Sequence, residues 1–238
     1  MAKFLAKSKS VPAAAKSKSK SKSKSKSKSK SKSKSKSKSE FKADARKPRM
    51  SIDARRRVFD GFLKIDEVSV SFDRLAGKGR MKGVKRLIME RGDSAAVLLH
   101  ETDTDTVLLT RQVRPATIAK GPGAIDEVVA GSIEKDEAAK DCIRREIEEE
   151  IGYRVPGRSI RQIATFYVSP GGTSERIVLF YAQVKASQRV DARAAGVASE
   201  DEDIMLVKVD RQRFIQRALS GKVDDAKTLI AGLWLARR

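Results

Sequence analysis

The stretch "GSIEKDEAAKDCIRREIEEEIGY", Gly131–Tyr153, gathers acidic residues in a chain whose formal net charge is +21. Apolar residues recur in it at every fourth position: Ile143, Ile147 and Ile151. This period predicts an amphipathic helix from about Lys135 to Ile151 that packs on a sheet. Gly152 follows directly, and glycine is typical of the position that ends a helix.

Three carboxylates occupy a neighbouring face of the same helix: Glu146, Glu149 and Glu150. At about 100° per residue they fall within a sector of roughly 100°. Carboxylates so close together raise one another's pKa unless a cation neutralises them. A hard divalent cation, which prefers oxygen ligands, would do so. A solvated acidic face explains the helix equally well when the helix is taken alone.

The spacing across the whole stretch resembles the Nudix box, the signature of hydrolases that act on nucleoside diphosphates linked to another moiety. The defined positions are Gly131, Glu137 after five residues, Arg145-Glu146-Ile147 after seven more, Glu149-Glu150 after one, and Gly152 after one. Tyr153 stands where an aliphatic residue is common. A match at this many polar and glycine positions is more specific than a single short motif.

The resemblance implies an α/β/α sandwich with a mixed sheet, in which the box forms a strand–loop–helix–loop unit. It implies that Glu146, Glu149 and Glu150 hold Mg²⁺ or Mn²⁺, with the backbone carbonyl of Ala130 as a further ligand. Glu202 would complete the metal set or activate water, and the general base stays open between Glu202 and Glu149. Other residues would hold the loop and the helix in place: Gly131, Glu137, Arg145 and Gly152.

The rest of the chain alternates strands with few helices, which favours an α+β fold or a three-layer sandwich. Alternating or apolar segments predict strands at 62–74, 84–91, 94–101, 105–113, 124–131, 161–169, 176–186 and 203–209. Amphipathic segments predict helices at 211–221 and 224–238, with Gly221 closing the first of them.

Beyond the box, residues 58–235 are similar to the ADP-ribose/GDP-mannose pyrophosphatase branch of the family. The segments that carry this similarity are "RQVRPAT", "YVSPGGTSERI", "EDEDIMLVKV" and "GKVDDAKTLI". The resemblance implies hydrolysis of the pyrophosphate bond of a nucleoside diphosphate sugar, GDP-mannose giving GMP and mannose 1-phosphate. ADP-ribose is the alternative substrate. It also implies a homodimer in which both subunits contribute substrate contacts.

The same resemblance places the substrate contacts. They are Phe62, Lys85, Arg86, Arg114, Ala130, Gly131, Ser132, Glu175, Asp201 and Lys227. Arg114 would contact the diphosphate or nucleotide portion, because a planar guanidinium pairs with phosphate oxygens at two points. Phe62 stands where the family has an aromatic residue that stacks on the base. Leu87 replaces the glutamate of a Lys-Arg-Glu substrate element, which leaves the sugar or base preference open.

The N-terminal 39 residues contain fifteen lysines and no acid, and Lys16–Ser39 is Lys-Ser repeated twelve times. Such a segment has nothing apolar to bury, so residues 1–50 are predicted to be disordered. Residues 51–90 are interpreted as N-terminal strands that pack on or dimerise the domain, and residues 91–238 as the hydrolase domain. The tail is either a solvated extension or a site that binds nucleic acid through phosphate charge alone. A protein acting on nucleic acid through this tail is a further alternative function.

Other features limit the functions that fit the sequence. Cys142 is the one cysteine, so no internal disulfide forms, and it is interpreted as a packing residue. His100, the one histidine, ends an apolar strand and receives no catalytic role. No apolar run reaches the roughly 18–20 residues that span a bilayer, and the N-terminus lacks a signal-peptide core. The expectation is a soluble cytoplasmic protein without membrane contact.

Overall fold

The computed structural model describes residues 47–194 and 203–238, which form ten β-strands and three α-helices. The strands are β1 Met50–Asp60, β2 Lys64–Asp73, β3 Arg80–Glu90, β4 Ser94–Glu101, β5 Thr106–Val113, β6 Ala124–Glu127, β7 Val129–Ser132, β8 Arg161–Tyr167, β9 Arg176–Val184 and β10 Met205–Asp210. The helices are α1 Ala139–Ile151, α2 Arg211–Leu219 and α3 Ala226–Leu235. The Lys-Ser tail, Asp201 and Glu202 lie outside the described residues.

A seven-stranded mixed sheet forms the centre of the fold, in the order β10-β5-β4-β9-β8 with β6 beside β5 and β7 beside β4. Strands β4 and β9 are parallel, whereas β5, β7, β8 and β10 each run antiparallel to their neighbours. Strand β4 lies in the middle and is buried on both faces, which explains its nearly continuous apolar sequence.

Helices cover both faces of this sheet, so the predicted α/β/α sandwich is confirmed. Alternate residues of β4 point to opposite layers. Ala95, Val97 and Leu99 pack with α1, where the predicted isoleucine stripe is fully buried. Ala96 and Leu98 pack with α2 and α3 on the other face.

Helix α1 begins four residues later than its apolar period predicts. The chain makes a turn at 134–138 instead, where Asp136 has a φ of +65° and the Glu134 amide donates to the Glu137 carboxylate at 3.0 Å. The helix ends as predicted, because Gly152 adopts the left-handed conformation and its amide donates to Glu148. A side chain at Gly152 would also overlap the backbone of Asp191.

Strands β4 and β5 separate partway along their length. Residues Leu99–Glu101 of β4 pair with β5. Beyond this stretch, residues Ser94–Val97 of β4 pair with β7, and residues Thr110–Val113 of β5 pair with β6. The sequence predicts a single strand over 124–131, but the chain there crosses from one of these partners to the other at Val128. The end of β6 and the whole of β7 therefore lie in the gap between the two diverging strands.

The first three strands form a separate antiparallel sheet, β1-β2-β3, of which only β2 and β3 contain segments that the alternation pattern singled out. Every residue of β1 is exposed, including Met50, Ile52 and Phe59. The sheet is tied to the rest of the fold where the Met89 amide donates to the Gly172 carbonyl at 2.8 Å. None of the described helices has the length and hydrophobicity that crossing a bilayer requires.

Candidate functional site

The box helix meets the central sheet through a contact between Glu146 and Gly131. Helix α1 packs across β7, and the Glu146 side chain lies directly against the Gly131 backbone, where any β-carbon would overlap its carboxyl group. A larger residue at position 131 would displace the Glu146 carboxylate from this place. The contact brings Glu146 to the backbone of β7, the strand that contains Ala130, Gly131 and Ser132, all of which were expected in the site.

Arg145 joins the acidic side chains of the box to one another. Its Nη1 atom lies 2.8 Å from Glu146 and 3.0 Å from Glu149, and its Nε donates to Glu137 at 3.2 Å. Burial alone would lower the pKa of Arg145, but the hydrogen bond to Glu137 and the charge of Glu146 raise it. The hydrogen bond from Arg145 likewise holds the pKa of Glu137 below its ordinary value. Arg145 therefore fixes the turn before α1 to the carboxylate face of the helix.

Arg145 gathers several carboxylates of the described residues. Its guanidinium pairs with those of Glu134, Glu137, Glu146 and Glu149. Glu150, which is 5% exposed, belongs to the same helix face. In the ranges 47–194 and 203–238, no three His, Cys, Asp or Glu residues are arranged to hold a metal ion. The possible ligands on this face are all carboxylate oxygens, which are the ligands that hard divalent cations prefer.

Cys142 lies beneath the loop that these residues form. Its thiol is fully buried and lies 3.4 Å from the Ser132 carbonyl oxygen, to which it donates. Burial, with the nearby charges of Glu137 and Glu146, raises the pKa of Cys142 to about 12. A thiol that stays protonated is a poor nucleophile, so the interpretation of Cys142 as a packing residue agrees with its surroundings.

Glu175 reaches the same region from the glycine-rich loop between β8 and β9. The Ser94 hydroxyl donates to its carboxylate at 2.7 Å, and Ser94 is paired in register with Ser132 of β7. The Ser174 hydroxyl donates to Glu90 at 2.6 Å, which holds this loop against the end of β3. The structure thus brings one more expected substrate residue beside β7.

Arg114 and Lys227, which lie 113 positions apart in the sequence, are joined by a residue that sequence reasoning missed. Glu127, at the end of β6, accepts from Arg114 Nε at 2.7 Å and from Lys227 Nζ at 2.6 Å. A buried acid needs a cationic partner. The signal that could have found Glu127 is its position directly before the apolar run Val128–Ala130, four residues before Gly131.

Three of the expected substrate residues are not brought to this place. Phe62 lies at the tip between β1 and β2 and is 97% exposed, while Lys85 and Arg86 lie on β3. Within the described part of the chain, no hydrogen bond or ion pair joins these three side chains to the residues around Gly131. Lys85 instead faces Glu67 at 3.7 Å.

The C-terminal end of the box contacts a second buried acid. Tyr153 is fully buried and its hydroxyl donates to Glu101, which also accepts from Lys208 Nζ at 2.7 and 2.8 Å and from Thr104 at 2.6 Å. This contact explains a tyrosine where an aliphatic residue is common, because the ring packs in the core while the hydroxyl satisfies a buried carboxylate. His100, which precedes Glu101 in β4, lies 2.8 Å from the Asp105 carboxylate and 3.3 Å from the Tyr181 hydroxyl, so both of its ring nitrogens have protein partners.

The chain is similar to known proteins over most of this fold. A family model described as NUDIX domain matches residues 90–222. A GDP-mannose pyrophosphatase of Salmonella arizonae is 36% identical over 164 residues, which are 68% of this chain and 83% of that protein. GDP-mannose pyrophosphatases of Salmonella paratyphi B and Escherichia coli O1:K1 are each 35% identical over the same lengths.

Proposed function

We propose that this chain, which belongs to the Nudix family and is a Nudix hydrolase, cleaves the pyrophosphate bond of GDP-mannose to give GMP and mannose 1-phosphate. The observation that carries the proposal is the contact of Glu146 with Gly131, which places the box carboxylates beside β7. The cationic side chains of Arg114 and Lys227 complement a diphosphate, and the relatives named GDP-mannose pyrophosphatase support the choice of sugar nucleotide.

The box carboxylates would hold a divalent cation, Mg²⁺ or Mn²⁺. Glu146, Glu149 and Glu150 are the proposed ligands, with the Ala130 carbonyl and Glu202, which lies outside the described residues. Such an ion, when bound, supplies positive charge against the diphosphate and Lewis acidity at its phosphorus. The purely oxygen set of possible ligands on this helix face supports the assignment.

The chain's own residues would position the substrate. Arg114 binds phosphate oxygens, for which a planar guanidinium is suited. Ser132 and Glu175, which meet through Ser94, contact the substrate beside β7. Glu137 and Arg145 hold the turn and the helix so that the carboxylates stay aligned. Water attacks a phosphorus in line with the departing phosphate, and Glu149 or Glu202 accepts its proton.

A homodimer is part of the proposal. The β1-β2-β3 sheet carries large exposed apolar side chains, which a second copy of the chain would cover: Met50, Ile52, Phe59, Phe62 and Leu87. In that arrangement Phe62, Lys85 and Arg86 contact a substrate whose diphosphate lies at the central sheet. Residues 51–90 then act as the dimerising strands and residues 91–238 as the hydrolase domain. Sedimentation should give a dimer for the full chain and a monomer for Ile52→Asp.

The substrate is tested by hydrolysis of GDP-mannose and ADP-ribose side by side, at equal concentration and saturating Mg²⁺. We expect a higher kcat/KM for GDP-mannose, with GMP and mannose 1-phosphate as products identified by chromatography. Chelation should abolish turnover and added Mg²⁺ or Mn²⁺ should restore it. A preference for ADP-ribose would transfer the proposal to that substrate. Absence of turnover with both substrates and both metals would reject a sugar-nucleotide pyrophosphatase.

A further inference from the structure

We infer that Glu127 is a positioning residue that holds Arg114 and Lys227 in fixed orientations toward the substrate. The inference deepens the proposed function and rests on it, because it concerns how these two side chains reach a diphosphate sugar. Glu127 belongs neither to the box nor to the residues that the family resemblance assigned. Its role follows from the contacts that its two carboxylate oxygens make.

Each oxygen of Glu127 serves one cation. Oε2 accepts from Arg114 Nε at 2.7 Å and Oε1 accepts from Lys227 Nζ at 2.6 Å. The Glu127 side chain is 8% exposed and that of Lys227 is 11% exposed, so water contributes little to this pairing. Two cations this close would repel each other without the acid between them. The carboxylate therefore sets the distance between Arg114 and Lys227.

The contact with Arg114 leaves the outer edge of its guanidinium available. Glu127 accepts from Nε, the inner nitrogen, and the Arg114 side chain remains 44% exposed. Its terminal nitrogens donate no hydrogen bond to residues 47–194 or 203–238. A guanidinium is planar, so a bond at Nε fixes the direction in which the two terminal nitrogens point. Those nitrogens are the pair that binds phosphate oxygens bidentately.

Lys227 is fixed by the start of α3. Asp225 caps this helix by accepting from the Thr228 amide at 2.9 Å, and it also accepts from Lys227 Nζ at 3.0 Å. The Val128 amide donates to the Thr228 hydroxyl at 2.8 Å, which ties α3 to the junction of β6 and β7. Two acids, Asp225 and Glu127, therefore contact Lys227, and Glu127 also contacts Arg114.

The experiment compares Glu127→Gln with Asp126→Asn in the full chain, using GDP-mannose and Mg²⁺. A glutamine offers one acceptor oxygen, and its amide nitrogen cannot accept from the second cation. We expect the KM of Glu127→Gln to rise about tenfold with kcat little changed, since a ground-state contact is lost. Asp126 is the matched control: it is the adjacent, partly buried acid of β6, it pairs with Arg111 at 2.7 Å, and its side chain lies on the opposite face. Its variant should keep the KM of the wild type.

A double-mutant cycle with Arg114→Ala separates positioning from a general loss of structure. If Glu127 acts through Arg114, Glu127→Gln should raise KM far less in the Arg114→Ala background than in the wild type. Equal effects in both backgrounds, or an unchanged KM in Glu127→Gln, would overturn the inference. Should Glu127→Gln fail to fold, Glu127→Asp keeps the charge but is too short to reach both cations, and the same rise in KM is expected.

Failure of the inference and failure of the proposed function give different results. If the wild type does not hydrolyse GDP-mannose, the proposed function is wrong and the inference falls with it. If the wild type is active but Arg114→Ala has an unchanged KM, Arg114 does not bind substrate and the inference is wrong while the activity stands. If Arg114→Ala raises KM and Glu127→Gln does not, only the positioning role of Glu127 is rejected.

Discussion

Two acidic clusters contact the box and differ in how many carboxylates share one cation. In the cluster beyond the C-terminal end of α1, the buried carboxylate of Glu101 meets one cation, Lys208, and two hydroxyl donors, Tyr153 and Thr104. One negative charge meets one positive charge, and the remaining donors are neutral. Hydrogen bonds fill the acceptor sites of the carboxylate, so this cluster needs no further partner.

In the other cluster, four carboxylates of the described residues share the Arg145 guanidinium: Glu134, Glu137, Glu146 and Glu149. Like charges held this close repel one another, and a shared cation reduces that repulsion. We therefore predict that the Glu101 cluster contributes mainly to stability, whereas the carboxylates around Arg145 contribute mainly to the proposed activity. Each cluster can be disrupted by a single isosteric substitution.

The largest effect is expected from Glu146→Gln. The substitution keeps the shape of the side chain and removes a proposed metal ligand, so turnover of GDP-mannose at saturating Mg²⁺ should fall by roughly 10³-fold or more. The free energy of unfolding without metal should change by less than about 1 kcal/mol, because the amide oxygen of glutamine can still accept from Arg145. Steady-state kinetics and urea unfolding measure the two quantities.

Glu148→Gln is the matched control for that variant. Glu148 lies on the outer side of the same helix, where it is half-exposed and pairs with Arg154. Its variant should retain wild-type turnover. Near-normal turnover in Glu146→Gln, or an equal loss in Glu148→Gln, would remove the assignment of the box carboxylates as metal ligands.

Glu101→Gln should act on stability instead of turnover. The variant leaves Lys208 with an uncharged acceptor and places an amide nitrogen among donors inside the core. We expect a loss of about 2 kcal/mol in the free energy of unfolding, which urea denaturation measures. The kcat per folded molecule should remain that of the wild type. A loss of turnover without a loss of stability would contradict the division of roles between the two clusters.

Local patterns in the sequence anticipated one cluster much better than the other. The carboxylate face of α1 follows from a 3.6-residue period, because Glu146, Glu149 and Glu150 are close on any helix. Glu101 and Lys208 are 107 positions apart, and they meet only because β10 and β4 flank the same strand, β5. The bridge from Glu127 to Lys227 spans 100 positions and depends on the packing of α3 against the junction of β6 and β7. Sequence periodicity carries no information on such pairings.

The helix boundary illustrates a second limit. Residues 135–138 fit the helical period, but Asp136 takes a left-handed conformation and Glu137 accepts from the Glu134 amide. This turn lets Glu137 reach Arg145, a contact between parts of the chain that helix propensity does not describe. Contacts of the Glu137 side chain with residues three and eight positions away thus accompany the start of α1 at Ala139.

Lowering the pH should reduce the difference in the free energy of unfolding between the wild type and Glu101→Gln. Burial tends to raise the pKa of Glu101, but the hydrogen bonds from Lys208, Thr104 and Tyr153 hold it below its ordinary value. The charged form then stabilises the fold above the pKa of an unfolded glutamate, about 4.3, and this contribution is lost as pH falls through the lower folded pKa. Glutamine does not titrate. Urea unfolding measured from pH 7 down to about pH 3 should show the free energies of unfolding of the two proteins converging. A difference that stays constant with pH would assign the effect to packing.

The smallest effect is expected from Tyr153→Phe, which keeps the buried ring and removes one donor to Glu101. Lys208 and Thr104 still satisfy the carboxylate, so the free energy of unfolding should fall by about 1 kcal/mol. The pKa of Glu101 should move toward its ordinary value, since one hydrogen bond to its charged form is gone. Turnover should not change, because the hydroxyl lies at the end of α1 away from Gly131. If Tyr153→Phe is as stable as the wild type, the tyrosine serves the fold through its ring alone, and the two remaining donors suffice for the buried acid.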